Sequence, residues 1–535
     1  MKMIKINQLF FGLLLVIPTM FFPAQEQLRE GVRAGDVEVV EKAIAAGANI
    51  NEINKTIFGE TPLYTAVAGG HEKITKLLLG KGADVNVPGN NFFDFPLTRA
   101  AMRGDVKIIE LLLAAGAKMN RRNGAGYTAR ELAGQNGDVI TALDEFIKRK
   151  NKELFEGARA GDIYVVWKAI AAGANINAKD KDDKDKRTAL SIAVDGDYIE
   201  VVKLLLDKGA DINVENAEGN TPLMRAAKNG YLSMAKLLIA RGADDMQDDF
   251  GETALFIAVD GDHIEVVKLL LDKGADINVE NTEGNTPLMR AAKNGYLAIT
   301  KLLIARGADV DLQDDEDARA LDFAVQRAEN NKNPSKNYLE LAKLLVNAGA
   351  NVNAKGTGGF GPLTSTVLDA GEPELIEFLI EAGADVNERS NSGEMPLMFA
   401  ATPEVAALLI KKGAHINDTD NFGQTALIHT AGDNFPEVVA LLLENGALPG
   451  MRDGDGKTAR ERAMRDGFKE VVEVLDEFRE RKEKVLEEEG LPKDVSELVV
   501  EFETGEKKPL IKRKQPETET EEKEQTKKVK RSEEE

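Results

Sequence analysis

DGDHIEVVKLLLDKGADIN, residues 260–278, repeats DGDYIEVVKLLLDKGADIN, residues 195–213, with one change, Tyr198 to His263. The match extends outward: residues 188–244 recur at 253–309, displaced by 65 positions. Inside each copy a weaker echo falls at about half that distance. KLLLDKGADIN at 203–213 becomes KLLIARGADDM at 236–246, then KLLLDKGADIN at 268–278 and KLLIARGADVD at 301–311. A fixed period of about 33 residues marks an array of small identical units, not one globular core.

Residues 284–309, GNTPLMRAAKNGYLAITKLLIARGAD, show what one unit must be. Thr286 can cap free backbone N–H groups, and Pro287 fits the first helical position. Leu288, Ala291 and Ala292 then share a face. Gly295 ends this short helix by taking the left-handed conformation cheaply. A second helix runs from about Leu297 to Ala305. Its apolar residues Ile299, Leu302, Leu303 and Ile304 cover more than one side, so neighbours must bury it. Gly307 closes it, and residues 308–315 are short, polar and Asp-rich, as a turn or hairpin requires. One such helix pair cannot bury its own apolar faces; stacking on the next copy does. The expected architecture is all-α, with short β-hairpin turns between the helix pairs.

The pattern resembles the ankyrin repeat family, roughly G-x-T-P-L-H-x-A-A, a second helix, then L-L-L-x-x-G-A-D-hydrophobic-N. TPL stands at Thr61, Thr221 and Thr286, and TAL at Thr188, Thr253 and Thr425. GAD or GAN stands at Gly47, Gly82, Gly173, Gly209, Gly242, Gly274, Gly307, Gly349 and Gly383. The resemblance covers about residues 26–482, in about fourteen units. The family's His after TPL is replaced by Tyr64, Ser191, Met224, Phe256, Met289, Met398 and Ile428, which removes the hydrogen bonds this His makes between repeats and leaves the fold unaffected. The resemblance implies an ankyrin-repeat solenoid that binds protein partners through its concave side, made of the turn tips and the first helices.

Unit ends divide the chain. EGVRAGDVEVVEKAIAAGANIN from Glu30 and EGARAGDIYVVWKAIAAGANIN from Glu156 lack TPL and read as opening units. Residues 126–150 and 456–482 match each other, lack the GAD turn and finish in a charged helix, as capping units should. The chain therefore reads as two consecutive arrays, residues 26–150 of about four repeats and 151–482 of about ten. At the join, residues 149–153, either a bend or an uninterrupted helix fits. NNKNPSKN at 330–337 lengthens one loop, and the unit at 395–414 has lost several residues around Thr402 and Pro403.

The formal charge of −22, from 91 acidic against 69 basic residues, disfavours nucleic acid, whose binding needs a basic footprint. There is no cysteine, hence no disulfide, thiol nucleophile or cysteine metal site. Residues 1–25 read as a secretory signal peptide: Lys2 and Lys5 precede an apolar run at 9–22. Export to a periplasm or beyond follows, with no membrane attachment after cleavage. An uncleaved anchor is the alternative, although the run is short of the about 20 residues a span needs. Residues 483–535 form a charged tail. Residues 495–502 are briefly apolar and could dock on the last repeat. From Glu503 the composition is that of disorder, and the clusters KKPLIKRK at 507–514 and KKVKR at 527–531 read as a solvated mixed-charge tail or, inside a host cell, as nuclear localisation signals.

Catalytic chemistry is hard to find. The four histidines, His71, His263, His415 and His429, are not spaced for a metal site and have no matched Ser or carboxylate. Gly356, Gly358 and Gly361 form G-x-G-x-x-G within a turn between repeats, without the strand that a nucleotide site needs. DKDDKDK at 180–186 and DTDNFG at 418–423 lack the glycine and terminal Glu register of calcium loops. The expectation is no enzyme, no cofactor and no metal.

What remains is surface. Phe58, Phe250, Phe360 and Phe422 each precede a turn glycine, and Phe92, Phe93 and Phe95 crowd one tip. Each is either an exposed partner contact, where aromatics act as hot spots, or a plate packed on the adjacent tip. Tyr64, Arg99, Arg225 and Arg290 are candidates on the first helices, the last two at equivalent positions. Trp167 is expected to pack on the helix at 138–150 and bridge the arrays. The functional expectation is an exported, monomeric, protein-binding scaffold, a host-directed bacterial effector being one form of it. The alternative is an envelope-associated spacer that self-associates.

Overall fold

The computed structural model describes residues 23–54, 59–90, 92–326, 338–369 and 371–488. The apolar run at 9–22, Phe58, the loop at 330–337 and both basic clusters of the tail lie outside them. The chain divides into two compact units, residues 1–269 and 270–535, with the boundary inside the helix Ile264–Asp272.

Six repeats start where their threonine says they should. The Thr61, Thr188, Thr221, Thr253, Thr286 and Thr425 hydroxyls accept the N–H three residues on, capping a short first helix. A nine-residue second helix returns antiparallel, as Pro222–Lys228 is followed by Leu232–Ala240. Leu223, Ala226 and Ala227 of the first meet Met234, Ala235 and Leu238 of the second, all buried. First helices stack on first helices and second on second, as Pro222–Lys228 lies between Ala189–Asp195 and Ala254–Asp260. The solenoid is thus all-helical among the described residues.

The tips are turns, not strands; Lys179 and Thr188 form an isolated antiparallel bridge. The reason is local. An Asn or Asp at the start of the tip uses its side-chain oxygen for N–H groups that a strand ladder would otherwise pair. Asp248 accepts from Phe250 and Glu252 at 2.9 Å each, and Asp420 from Phe422 and Gln424 at 2.8 Å each.

The asparagine that ends the GAD-x-N turns supplies inter-repeat hydrogen bonds. In the first unit Asn51, Asn86, Asn177 and Asn213 accept from the backbone N–H of Asp84, Lys118, Asp211 and Asp244. In the second, Asn353, Asn387 and Asn417 do the same for Asp385, His415 and Leu448 and also donate to Gly383, Gly413 and Gly446. Histidine has a different post. His263 is clamped between Gly230 and Gly261, where a Cβ would lie 2.6 Å from its ring, and its Nε2 meets the Lys228 carbonyl at 3.0 Å. His71 and Tyr198 hold the equivalent places.

Two irregular elements stand out. The helix Gly137–Ala160 runs unbroken through residues 149–153. Leu143 and Phe146 in its first half and Leu154, Phe155 and Ala158 in its second are buried, and it packs on both Val106–Ala114 and Ala189–Asp195. Second, the first helix of the repeat at 395–414 shrinks to a 3-10 turn, Pro396–Phe399.

Candidate protein-binding face

Neighbouring tips share backbone hydrogen bonds that tie them into runs within each unit, the run in the first unit being interrupted at the helix Gly137–Ala160. Gly124 donates to Phe92, Ala217 to Asp185 and Asp249 to Glu218; in the second unit Asn391 donates to Gly358, Asn421 to Ser392 and Gly454 to Phe422. From these tied tips Phe93 and Phe250 project in the first unit and Phe422 in the second, with 63 %, 57 % and 60 % of their surface exposed, and Phe92 beside Phe93 is as open. Phe93 is also held in the left-handed region, φ 55°, a conformation that costs a bulky side chain energy and recurs at functional sites. Asn90 enforces it by accepting from Phe92 and Asp94. Carboxylates surround Phe250: Glu218, Asp248, Asp249 and Glu252 lie on its own tip or the adjoining one.

Other candidates are placed differently. Phe360 is half-buried and meets Phe399 edge-on at 5.8 Å. Phe95 is buried, because Phe95-Pro96-Leu97 puts it where other repeats carry their buried cap threonine; the Arg121 guanidinium lies 5.3 Å above its ring. Tyr64 is also buried rather than offered to a partner. Its hydroxyl donates to Asp94 at 3.2 Å and accepts from Asn90 at 3.0 Å, and burial with the Asp94 charge pushes its pKa up to about 12. Met224, Met289 and Ile428, its counterparts, are equally buried; their shared apolar character was the signal that this position faces inward. Arg99 is half-buried beside Tyr64, its Nε enclosed without an acceptor.

Arg225 belongs to a ladder of charges along the first helices. Arg159 binds Asp180 at 2.5 Å, Arg187 binds Asp183 at 2.7 Å and Asp195 at 2.6 Å, and Arg225 closes on Asp195 at 2.5 Å. Burial opposes the charge on Asp183, yet Arg187, the Asp185 N–H and Arg159 hold its carboxyl below the usual range. Arg225 therefore locks repeats together. Arg290 is half-buried at the equivalent position. Trp167 does not close the join between arrays: it is 50 % exposed and stacks on Tyr164 of its own helix, centroids 6.3 Å apart. Where the first opening unit has Glu38 and Glu41, this helix has Tyr164 and Trp167, a substitution that marks surface, not core.

The G-x-G-x-x-G segment is a tip preceding the helix Pro362–Leu368. A Cβ on Gly361 would lie 2.0 Å from the Glu388 carboxylate, which is buried, raised in pKa by that burial, and bound by the Thr364 N–H at 2.8 Å. Among the described residues no group of three His, Asp or Glu is arranged to hold a metal ion, and no helix is long and apolar enough to cross a membrane.

A family model described as "Ankyrin repeats (3 copies)" matches residues 28–123, 154–249, 241–314, 331–420 and 402–481, well over half of the chain. An ankyrin repeat and KH domain-containing protein of Caenorhabditis elegans is 31 % identical over 208 residues, 36 % of this chain and 7 % of that protein. A putative ankyrin repeat protein of fowlpox virus is 40 % identical over 77 residues, 14 % of this chain and 10 % of its own length. One of Acanthamoeba polyphaga mimivirus is 35 % identical over 88 residues, 16 % of this chain and 50 % of its own. The chain thus spans half or less of each of these relatives.

Proposed function

Because the chain belongs to the ankyrin repeat family, whose repeats generally mediate protein–protein interaction, we propose that it is a non-enzymatic scaffold that binds partner protein through its tips. One observation carries this reading: Phe93 and Phe250 in the first unit and Phe422 in the second stand exposed on tips that are each hydrogen-bonded to a neighbouring tip. A fixed, open aromatic loses little entropy on contact and supplies much buried area, which is how hot spots work. The carboxylates around Phe250 favour a partner with cations at its rim.

The arrangement at 26–150 and 151–482 is then two binding arrays that share the helix Gly137–Ala160. Lys2, Lys5 and the apolar run after them support export, which places the scaffold in a periplasm or outside the cell, with delivery into a host as one destination. Fractionation of cells making the full chain, with N-terminal sequencing of the product, tests export; an unprocessed cytosolic chain overturns it.

The binding test uses the full chain beside the triple variant Phe93→Ala, Phe250→Ala, Phe422→Ala. A captured partner should bind the variant more than about tenfold more weakly, at unchanged circular dichroism. Equal binding would remove the tips from the site.

A further inference from the structure

The repeat at 395–414 is short. Thr425 to Gly446 spans 21 positions, and the matching interval from Met395 to Gly413 spans 18. The lost residues are the last turn of the first helix, and their absence opens a groove of about 320 Å³ against the preceding repeat. Val367 and Val405, both buried, form its floor, half-buried Ala401 and exposed Pro373 line it, and the exposed Glu372 and Glu404 stand at its rim. Leu368, 49 % exposed, extends the apolar surface beside it. The surroundings are negative: residues 361–412 carry nine carboxylates and three cations, Arg389, Lys411 and Lys412, the last paired with Glu377 and Glu381.

A pocket of this size takes a few apolar side chains, and its acidic frame selects cations around them. The chain itself contains such a segment. In KKPLIKRK, Leu510 and Ile511 sit between Lys507, Lys508 and Lys512, Arg513, Lys514. The second basic cluster, 527–531, offers only Val529. Reach is sufficient. The eighteen residues 489–506 span at most about 60 Å. The groove lies two repeats before the final helix Lys469–Glu488, roughly 20 Å at a helix spacing of about 8–10 Å.

We propose that the groove between Val367 and Val405 is the docking site of residues 507–514 of the same chain. Leu510 and Ile511 fill the place of the lost helical turn, and the flanking cations meet Glu372 and Glu404. The contact is independent of the tip aromatics.

The absence of cysteine makes the test direct. Leu368→Cys is paired with Ile511→Cys in one full-length variant and with Val529→Cys in another. Under mild oxidation at low concentration, the 368–511 disulfide should form within one chain at least about tenfold faster than 368–529, the gain expected of a docked segment. Added salt should slow it, because the cations are screened. Ala401→Phe, which fills the groove, should also slow it; if that variant does not fold, Glu404→Lys at the exposed rim serves. Equal rates for the two pairs, or a rate unmoved by the groove variants, overturns the proposal. Disulfides formed only between chains overturn it too, and give the groove to a second copy.

Discussion

The Asp322 carboxylate caps its helix by accepting the Arg319 N–H at 2.8 Å, yet its other oxygen is buried without a donor. Burial pushes its pKa from 3.8 to about 6 against the pull of Arg319, and the charges of Asp314 and Glu388 add to the push. A folded value above the unfolded one means that the fold favours the protonated acid. Its stabilisation is complete below about pH 3.8 and is lost as pH rises through about 6. Asp322→Asn keeps the cap and removes the charge. Thermal melts should show it more stable than the parent at about pH 7, by at most about 3 kcal/mol, with the gain gone near pH 4. A gain of the same size at both pH values would sink this account. Asn353 gives a second test. It accepts from Asp385 and donates to Gly383 in the next repeat. Asn353→Ala should cost about 1 kcal/mol in urea at an unchanged m-value, and Asn353→Asp about half, since Asp311 already performs the acceptor role for Asn351. Legibility differs sharply between residues. Cap threonines and turn glycines were readable because their partners lie within four positions. The burial of Tyr64 and Arg225, and the choice between contact and packing at Phe95, depend on the neighbouring repeat, 30 positions away in the case of both Tyr64 with Asp94 and Arg225 with Asp195, and so are not legible locally.

Among the elements, Gly137–Ala160 matters most. Its first half completes one stack and its second half begins the next, so the two stacks share one rigid rod. The sequence holds the reason: no Gly or Pro stands between Asp138 and Glu156, so nothing stops the helix. Lys150 pairs with Glu153 at 2.7 Å, and the Asn151 side chain accepts the Asn175 N–H. Inserting Gly-Gly-Ser between Lys150 and Asn151 should therefore uncouple the stacks. Each glycine costs roughly 1 kcal/mol of helix, and the two buried faces no longer share one axis. Hydrogen exchange should then show helices on either side of the insertion opening at different denaturant concentrations, where the parent opens them together. Joint opening in the insertion variant would show that the stacks are coupled by other contacts. The 3-10 turn Pro396–Phe399 is the counterexample. The shortened spacing was plain in the sequence, but the groove it leaves depends on atoms of two repeats and was not.

At the scale of the whole chain, the fold was legible because a repeat array is nearly additive: each unit contacts only its neighbours, so one unit's pattern, read many times over, fixes the architecture. The same additivity makes stability local, and charge decides where it is weakest. Within the second unit, residues 361–412 hold nine carboxylates and three cations, whereas residues 287–306 hold four cations, Arg290, Lys293, Lys301 and Arg306, and no carboxylate. Like charges on a compact surface repel and weaken it. The acidic stretch also contains the repeat that has lost a helical turn. Amides in Leu375–Leu379 and Val405–Leu409 should thus exchange faster than those in Ile299–Leu303, although all six of these end residues are buried. Raising salt from about 0.05 M to about 0.5 M shortens the screening length severalfold. It should therefore slow exchange in the acidic repeats, and do so less in Ile299–Leu303, where Arg306 is already paired with Asp272 at 2.8 Å. Uniform protection along the unit, or a salt effect of the same size in both places, would mean that packing rather than repulsion sets the local stability, and that the truncated repeat is as firmly held as its neighbours.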